Sequence, residues 1–411
     1  MLNRTLSSLR QIPTWLAVPL LALSTGTAAL AAEPAAPGTW QQVQPAAQVL
    51  GVDGQTYAPS CSAFPGTDPT FRFWAKKSAT GSAKTVVFFE GGGACWDNLT
   101  CSFPIAPGLP SQVPQFFVPQ VPPGTDPSQI GGIFKEAAAN PVKDWNMVYI
   151  PYCSGDIHTG SSSRTYANVG HPVFPLPPTF TLQHRGFDNF MAVLAWMKAG
   201  GDKPEQVLVT GVSAGGYGAT ANFPWIAETF KSARVSLLAD ASQGVTTPAF
   251  DNGDPGRNAW NPQLAPWVFG AAPSAVRGGE LILALAKAYP RSKIAQFTTT
   301  LDAVQVGFYG LMKTYYGPGG ICPNPAVDWN QQMLADLQGN AEQLPNFRSY
   351  LAAGSYHTLL RDPLFYSEAS AGPAFADWLG QMLKNQGGTG GRGGGWDSVA
   401  CPDCLQPLPC L

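Results

Sequence analysis

The run Gln206-Val207-Leu208-Val209-Thr210-Gly211-Val212-Ser213-Ala214-Gly215 decides how this chain is read. Its first five residues form a short apolar stretch, the pattern of a strand buried on both faces. Directly behind it comes G-x-S-x-G, then Gly216, Gly218, Ala219 and Ala221. A serine carried on a tight strand-to-helix turn needs tiny neighbours, because the two backbones approach each other there. The context therefore predicts a nucleophile elbow with Ser213 at its tip. The bland alternative is a Gly-rich turn with an incidental serine.

Outward from this point, strand-like apolar runs recur at 85–90 (TVVFFE), 146–152 (NMVYIPY), 235–240, 294–299 and 347–352, while 186–198 has helical apolar spacing. Near-continuous apolar strands separated by helical segments indicate a mostly parallel sheet with helices on both faces, an α/β architecture of the α/β-hydrolase type. The 45 Gly and 39 Pro among 411 residues argue against a helical bundle and for long, structured loops.

Composition excludes several function classes. With 24 Lys+Arg against 26 Asp+Glu the net charge is -2, so no surplus for binding nucleic acid is visible. A hydrophobic content of 45% against 12% charged rules out disorder over most of the chain.

Three segments are expected. Arg4 and Arg10, the apolar stretch 15–23 and Ala29-Leu30-Ala31 read as a signal peptide over 1–31, too short in its apolar part to span a bilayer. A single catalytic domain covers 32–386, and a Gly-rich linker with a cysteine-bearing tail covers 387–411. Removal of Arg4 and Arg10 leaves 22 Lys+Arg against 26 Asp+Glu, a mature charge of -4, and a protein destined for secretion without a transmembrane segment. The eight cysteines are an even set in an oxidising compartment, so disulfides are expected; Cys401 and Cys404 as half a metal site lack nearby histidines.

A serine hydroxyl needs a base and an orienting acid. In α/β-hydrolases these follow the nucleophile in the order Ser, Asp/Glu, His. His357 is the one histidine after Ser213; His158, His171 and His184 precede it. For the acid, Asp302 follows the later strand and leads. Asp240 then reads as a buried carboxylate that accepts backbone N–H groups, and Asp328 as a first-turn helix stabiliser.

Three blocks resemble a known family: Phe89-Glu90-Gly91-Gly92-Gly93-Ala94-Cys95-Trp96, Ile150-Pro151-Tyr152-Cys153-Ser154-Gly155-Asp156-Ile157-His158-Thr159-Gly160, and the Ser213 motif. In this order they look like the pectin acetylesterase/Notum family of secreted carboxylesterases, and Leu301-Asp302-Ala303-Val304-Gln305 is similar to its acid-bearing segment. The resemblance implies an α/β-hydrolase-like fold without metal or cofactor, and Ser213, Asp302 and His357 as a triad. It also suggests Cys61 paired with Cys153 and Cys95 with Cys101. The Pro-rich insertion 103–127 and the pairing of Cys322, Cys401, Cys404 and Cys410 have no counterpart in the blocks.

Ester hydrolysis passes through an oxyanion that needs preset N–H donors. One comes from the residue after the nucleophile, Ala214, and others from an upstream Gly turn, here Gly92 and Gly93. The spacing at 91–95 lacks a dinucleotide or P-loop pattern. Trp96 is expected as a pocket wall, and Asp156 and His158 as residues at the pocket's border, with a loop-capping aspartate as the alternative. The expected substrate is an acylated glycan or small ester, most readily an acetyl ester of an extracellular carbohydrate such as pectin. Another lipid- or protein-linked ester, or a secreted binding protein without turnover, are the alternatives.

Overall fold

The structure, a computed structural model, describes residues 36–201, 203–271, 277–317, 320, 322–384 and 395–410. The expected signal peptide 1–31 and residues 387–394 of the expected linker lie outside them.

A nine-stranded sheet organises the described chain. In chain order its strands are β1 (Trp40–Val43), β2 (Phe73–Lys76), β3 (Lys84–Phe89), β4 (Asn146–Ile150), β5 (Gln206–Val212), β6 (Arg234–Asp240), β7 (Ile294–Thr299), β8 (Phe347–Ala352) and β9 (Val399–Ala400). Their order across the sheet is β1-β2-β4-β3-β5-β6-β7-β8-β9, with only β2 running against the rest. β3, β5, β6 and β7 are almost wholly buried, as their unbroken apolar runs require. The expected strand at 146–152 ends at Ile150, where Pro151 removes a ladder donor.

The connecting helices include α1 (Gly186–Ala199), α2 (Ala214–Thr229), α3 (Glu280–Ala288), α4 (Ala303–Tyr316), α5 (Pro325–Gln343) and α6 (Phe375–Lys384). A separate hairpin pairs Ser162–Ala167 with Thr179–His184. The architecture is α/β-hydrolase-like, as the strand and helix pattern predicts.

The C-terminal part of the expected linker is ordered against the domain. Trp396 is buried, the Trp378 Nε1–H donates to Asp397 O at 2.7 Å, and β9 extends the sheet beside β8. Glycine count alone hides this, because Trp396 and Val399 carry apolar area that folding removes from water. Disulfides join Cys61 to Cys153, Cys95 to Cys101, Cys322 to Cys410 and Cys401 to Cys404.

Candidate active site

Ser213 stands between β5 and α2 with φ 56° and ψ -126°, a left-handed conformation that a residue with a Cβ adopts only when its surroundings enforce it. The Ser213 N–H donates to Asp240 O at 2.8 Å, and Gly216 N–H donates to Ser213 O at 2.9 Å. The small neighbours are required by contact. A Cβ on Gly211 would lie 2.3 Å from Gly215 O, and one on Gly215 only 2.0 Å from Phe89 O. Both would collide with backbone, so β3, β5 and α2 can close around the serine only as glycine allows.

His357 lies on the loop after β8. Its Nδ1 is 2.8 Å from both carboxylate oxygens of Asp302. Asp302 is fully buried at the head of α4, where Oδ1 accepts the Val304 and Gln305 N–H groups at 3.1 and 3.0 Å. Its Oδ2 accepts the Gln305 side-chain N–H at 3.0 Å, and Gln305 is fastened to Gln243 by two further bonds of 2.9 Å. Because the Asp302 oxygens face these donors, His357 Nδ1 is the donor towards them, which leaves Nε2 as the acceptor. Nε2 is buried and has no hydrogen-bond partner among the described residues.

Ser213 and His357 line one cavity of about 90 Å³, together with Gly93 and Ala214. Its walls are chiefly apolar: Trp96, Phe250, Trp260, Phe308, Met312 and Trp329 all contribute. Trp96 is completely buried with its ring edge-on to Phe250, centroids 4.9 Å apart.

The Gly-rich turn after β3 is propped by a segment the sequence left unassigned. Ala94 N–H donates to Phe116 O at 2.8 Å, and Val118 N–H donates to Gly92 O at 2.9 Å. This bridge bypasses the Gly93 N–H. Thus the Pro-rich insertion 103–127 backs the turn through an isolated bridge between Gly93 and Phe117. Below it, Glu90 accepts the Tyr149 hydroxyl at 2.9 Å and Gly91 N–H at 2.8 Å, and pairs with Arg361. Ala214 opens α2, so its N–H has no acceptor inside the helix.

Two expected border residues lie elsewhere. Asp156 is fully buried, accepts the Ser154 hydroxyl at 2.7 Å, His158 N–H at 3.2 Å and Gly186 N–H at 2.7 Å, and is pushed up to about 6 by burial. His158 is pushed down to about 4 by burial, and its Nε2 sits 2.8 Å from Glu90 O. Neither lines the cavity; Ile157 between them does, at φ 49°. Alternation along a strained turn thus hands the pocket to the apolar neighbour and the interior to the polar pair. Gly92 is also absent from the cavity lining, whereas Gly93 is present.

Asp240 is fully buried, and its Oδ2 accepts the N–H groups of Leu359 and Leu360 at 2.7 Å each. Burial pushes it up to about 7. Sequence reasoning missed Asp251 and Arg257, which line the cavity as a buried pair 3.6 Å apart. Burial raises the Asp251 carboxyl and lowers the Arg257 guanidinium. They sit on two short helical turns, Pro248–Asn252 and Arg257–Trp260, too brief to carry a period, so no pattern announces them.

A family model, that of the pectinacetylesterases, matches residues 55–254, a span that holds the Gly-rich turn, the Cys153 block and the serine elbow. This match supports membership of the pectin acetylesterase/Notum family. Membership implies carboxylic ester hydrolase activity and supports an acetyl esterase. No curated protein matches the sequence. Asp302 and His357 lie beyond the matched span. No helix among the described residues is long and apolar enough to cross a membrane.

Proposed function

We propose that this pectin acetylesterase-family chain is a secreted serine carboxylesterase that removes acetyl groups from an extracellular carbohydrate such as pectin. The observation that carries the reading is the His357–Asp302 pair at 2.8 Å, with the Nε2 of His357 unpartnered and His357 lining the same cavity as Ser213. In this reading Nε2 takes the Ser213 proton as Oγ attacks the ester carbonyl, and Asp302 holds the imidazole in the required tautomer. The N–H groups of Ala214 and Gly93, with Gly92 behind them, meet the oxyanion. His357 then protonates the leaving alcohol, and water attacks the acyl-enzyme with His357 again as base. Four disulfides suit an oxidising compartment outside the cytosol.

The apolar walls of the cavity favour a second reading, in which a longer or bulkier acyl group is the better substrate, as in a lipid- or protein-linked ester. A panel of p-nitrophenyl esters of increasing chain length beside acetylated glycans separates the two. Turnover of acetyl esters that a serine-directed phosphonate abolishes supports the first reading. No turnover of any ester would leave a binding protein on this fold.

A further inference from the structure

The end of the sheet opposite Ser213 carries a second concavity, with a volume of about 660 Å³. It opens where β5 and β6 begin, and Gln206 lines it while Ser213 follows the other end of β5. Seven residues of strand separate the two, roughly 20 Å. Lys231, Arg234, Arg291 and Lys293 line this groove against a single carboxylate, Glu228, an excess of three positive charges. Lys231 and the Tyr289 hydroxyl both engage Glu228, at 3.2 and 3.4 Å.

Cations at helix C-termini are ordinary dipole partners, and Lys231 and Arg291 follow the ends of α2 and α3. Lys293 donates to Met382 O at 2.8 Å in the last turn of α6, whereas Arg234 stands at a strand start, where no such dipole asks for it. The chain as a whole is net negative, so this concentration is local. A concave, basic, hydroxyl-bearing trough fits an extended chain bearing regularly spaced carboxylates better than it fits a flat lipid surface.

We propose that this groove binds the carboxylates of an acidic polysaccharide and anchors the enzyme to its polymer, apart from the catalytic serine. The choice of polymer rests on the carbohydrate esterase reading; the basic groove does not. Such a site would raise the local concentration of ester groups without touching the reaction.

The test uses polygalacturonate as the probe, with retention of the whole protein in affinity electrophoresis as the readout. Lys231→Glu, Arg234→Glu and Arg291→Glu are combined, all at exposed positions. The triple variant should lose about tenfold or more in affinity, the wild type should lose affinity as salt rises, and p-nitrophenyl acetate turnover should stay unchanged. Ser213→Ala should keep full retention. Undiminished retention of the triple variant, or salt-independent retention of the wild type, would overturn the proposal. Equal or tighter binding to phosphatidylglycerol vesicles would overturn it in favour of a lipid surface. Absent ester turnover in the wild type would count against the esterase reading alone, since retention reports the groove by itself.

Discussion

The Oδ2 oxygen of Asp240 lies 2.7 Å from the backbone nitrogen of Leu359, two residues beyond His357. The same oxygen accepts Leu360 N–H, so one side chain at the end of β6 fixes the loop that presents the imidazole. Asp240→Ala orphans two buried donors and should cost on the order of 1 to 3 kcal/mol, with slackened His357 placement. Asp240→Asn retains an acceptor carbonyl and should cost less. Urea titration of both variants, read with ester turnover of the folded fraction, checks the order. An Asn variant less stable than the Ala variant would refute it.

Asp240 also sets a pH dependence. Its folded value, about 7, stands above its ordinary value of 3.8, so between those two the folded chain binds more protons than the unfolded one. Stability from this group is therefore greatest below about 4 and falls as pH rises through about 7. His158 and His184, both lowered to about 4 by burial, push the other way, but a variant at position 240 keeps them. Hence the drop in Tm between pH of about 5 and about 8 should be larger in the wild type than in Asp240→Asn. Parallel Tm profiles would show that Asp240 does not titrate in this range.

The two aspartates should separate in kinetics. Asp302→Asn keeps the N-cap acceptor but offers His357 Nδ1 an amide, and a loss of about 10⁴ in kcat is the scale set by the corresponding change in a serine protease. Asp240→Asn should lose far less. Ser213→Ala should abolish turnover with an unchanged melting profile. A stable but inactive Asp240→Asn beside an active Asp302→Asn would move the acid one strand earlier.

The sheet was legible because burial on both faces writes uninterrupted apolar runs, and the elbow because backbone contact at Gly211 and Gly215 admits no other residue. His357 was legible by order alone. What stayed hidden depends on long-range packing. The backing of Gly93 by Phe116 and Phe117 comes from a Pro-rich stretch with no period, and the assignment of Ile157 rather than its polar neighbours to the cavity follows from positive φ at two successive residues. β1 and β9 are short edge strands whose few residues give periodicity nothing to act on.

The disulfides should differ in worth. Cys61–Cys153 and Cys322–Cys410 close loops of 92 and 88 residues, whereas Cys95–Cys101 and Cys401–Cys404 close 6 and 3. In the chain-entropy account the long loops stabilise more, roughly 4 kcal/mol or above, and the short ones less. Paired Cys→Ser variants followed by thermal melting should rank in that order. A Cys401/Cys404 variant as damaged as the Cys61/Cys153 variant would contradict it.

Gly93 tests the oxyanion turn most directly. Its φ is +72°, and a Cβ there would lie 1.9 Å from Phe116 O and 2.9 Å from Phe116 C. Neither atom belongs to a side chain that could rotate away, so Gly93→Ala must displace the turn or the 116–118 segment that backs it. If the Gly93 N–H meets the oxyanion, that displacement removes a donor aimed at developing charge, and kcat should fall by about 10² to 10³. KM for a small ester should change little, because the carbonyl is bound weakly in the ground state. Gly66→Ala is the control: it has φ +83° with nothing within 4 Å of the added Cβ, so it carries the conformational cost of the left-handed region and no clash. Its turnover should match the wild type while its Tm drops slightly. Wild-type kcat in a folded Gly93→Ala protein would remove Gly93 from the oxyanion site and leave Ala214 to carry it.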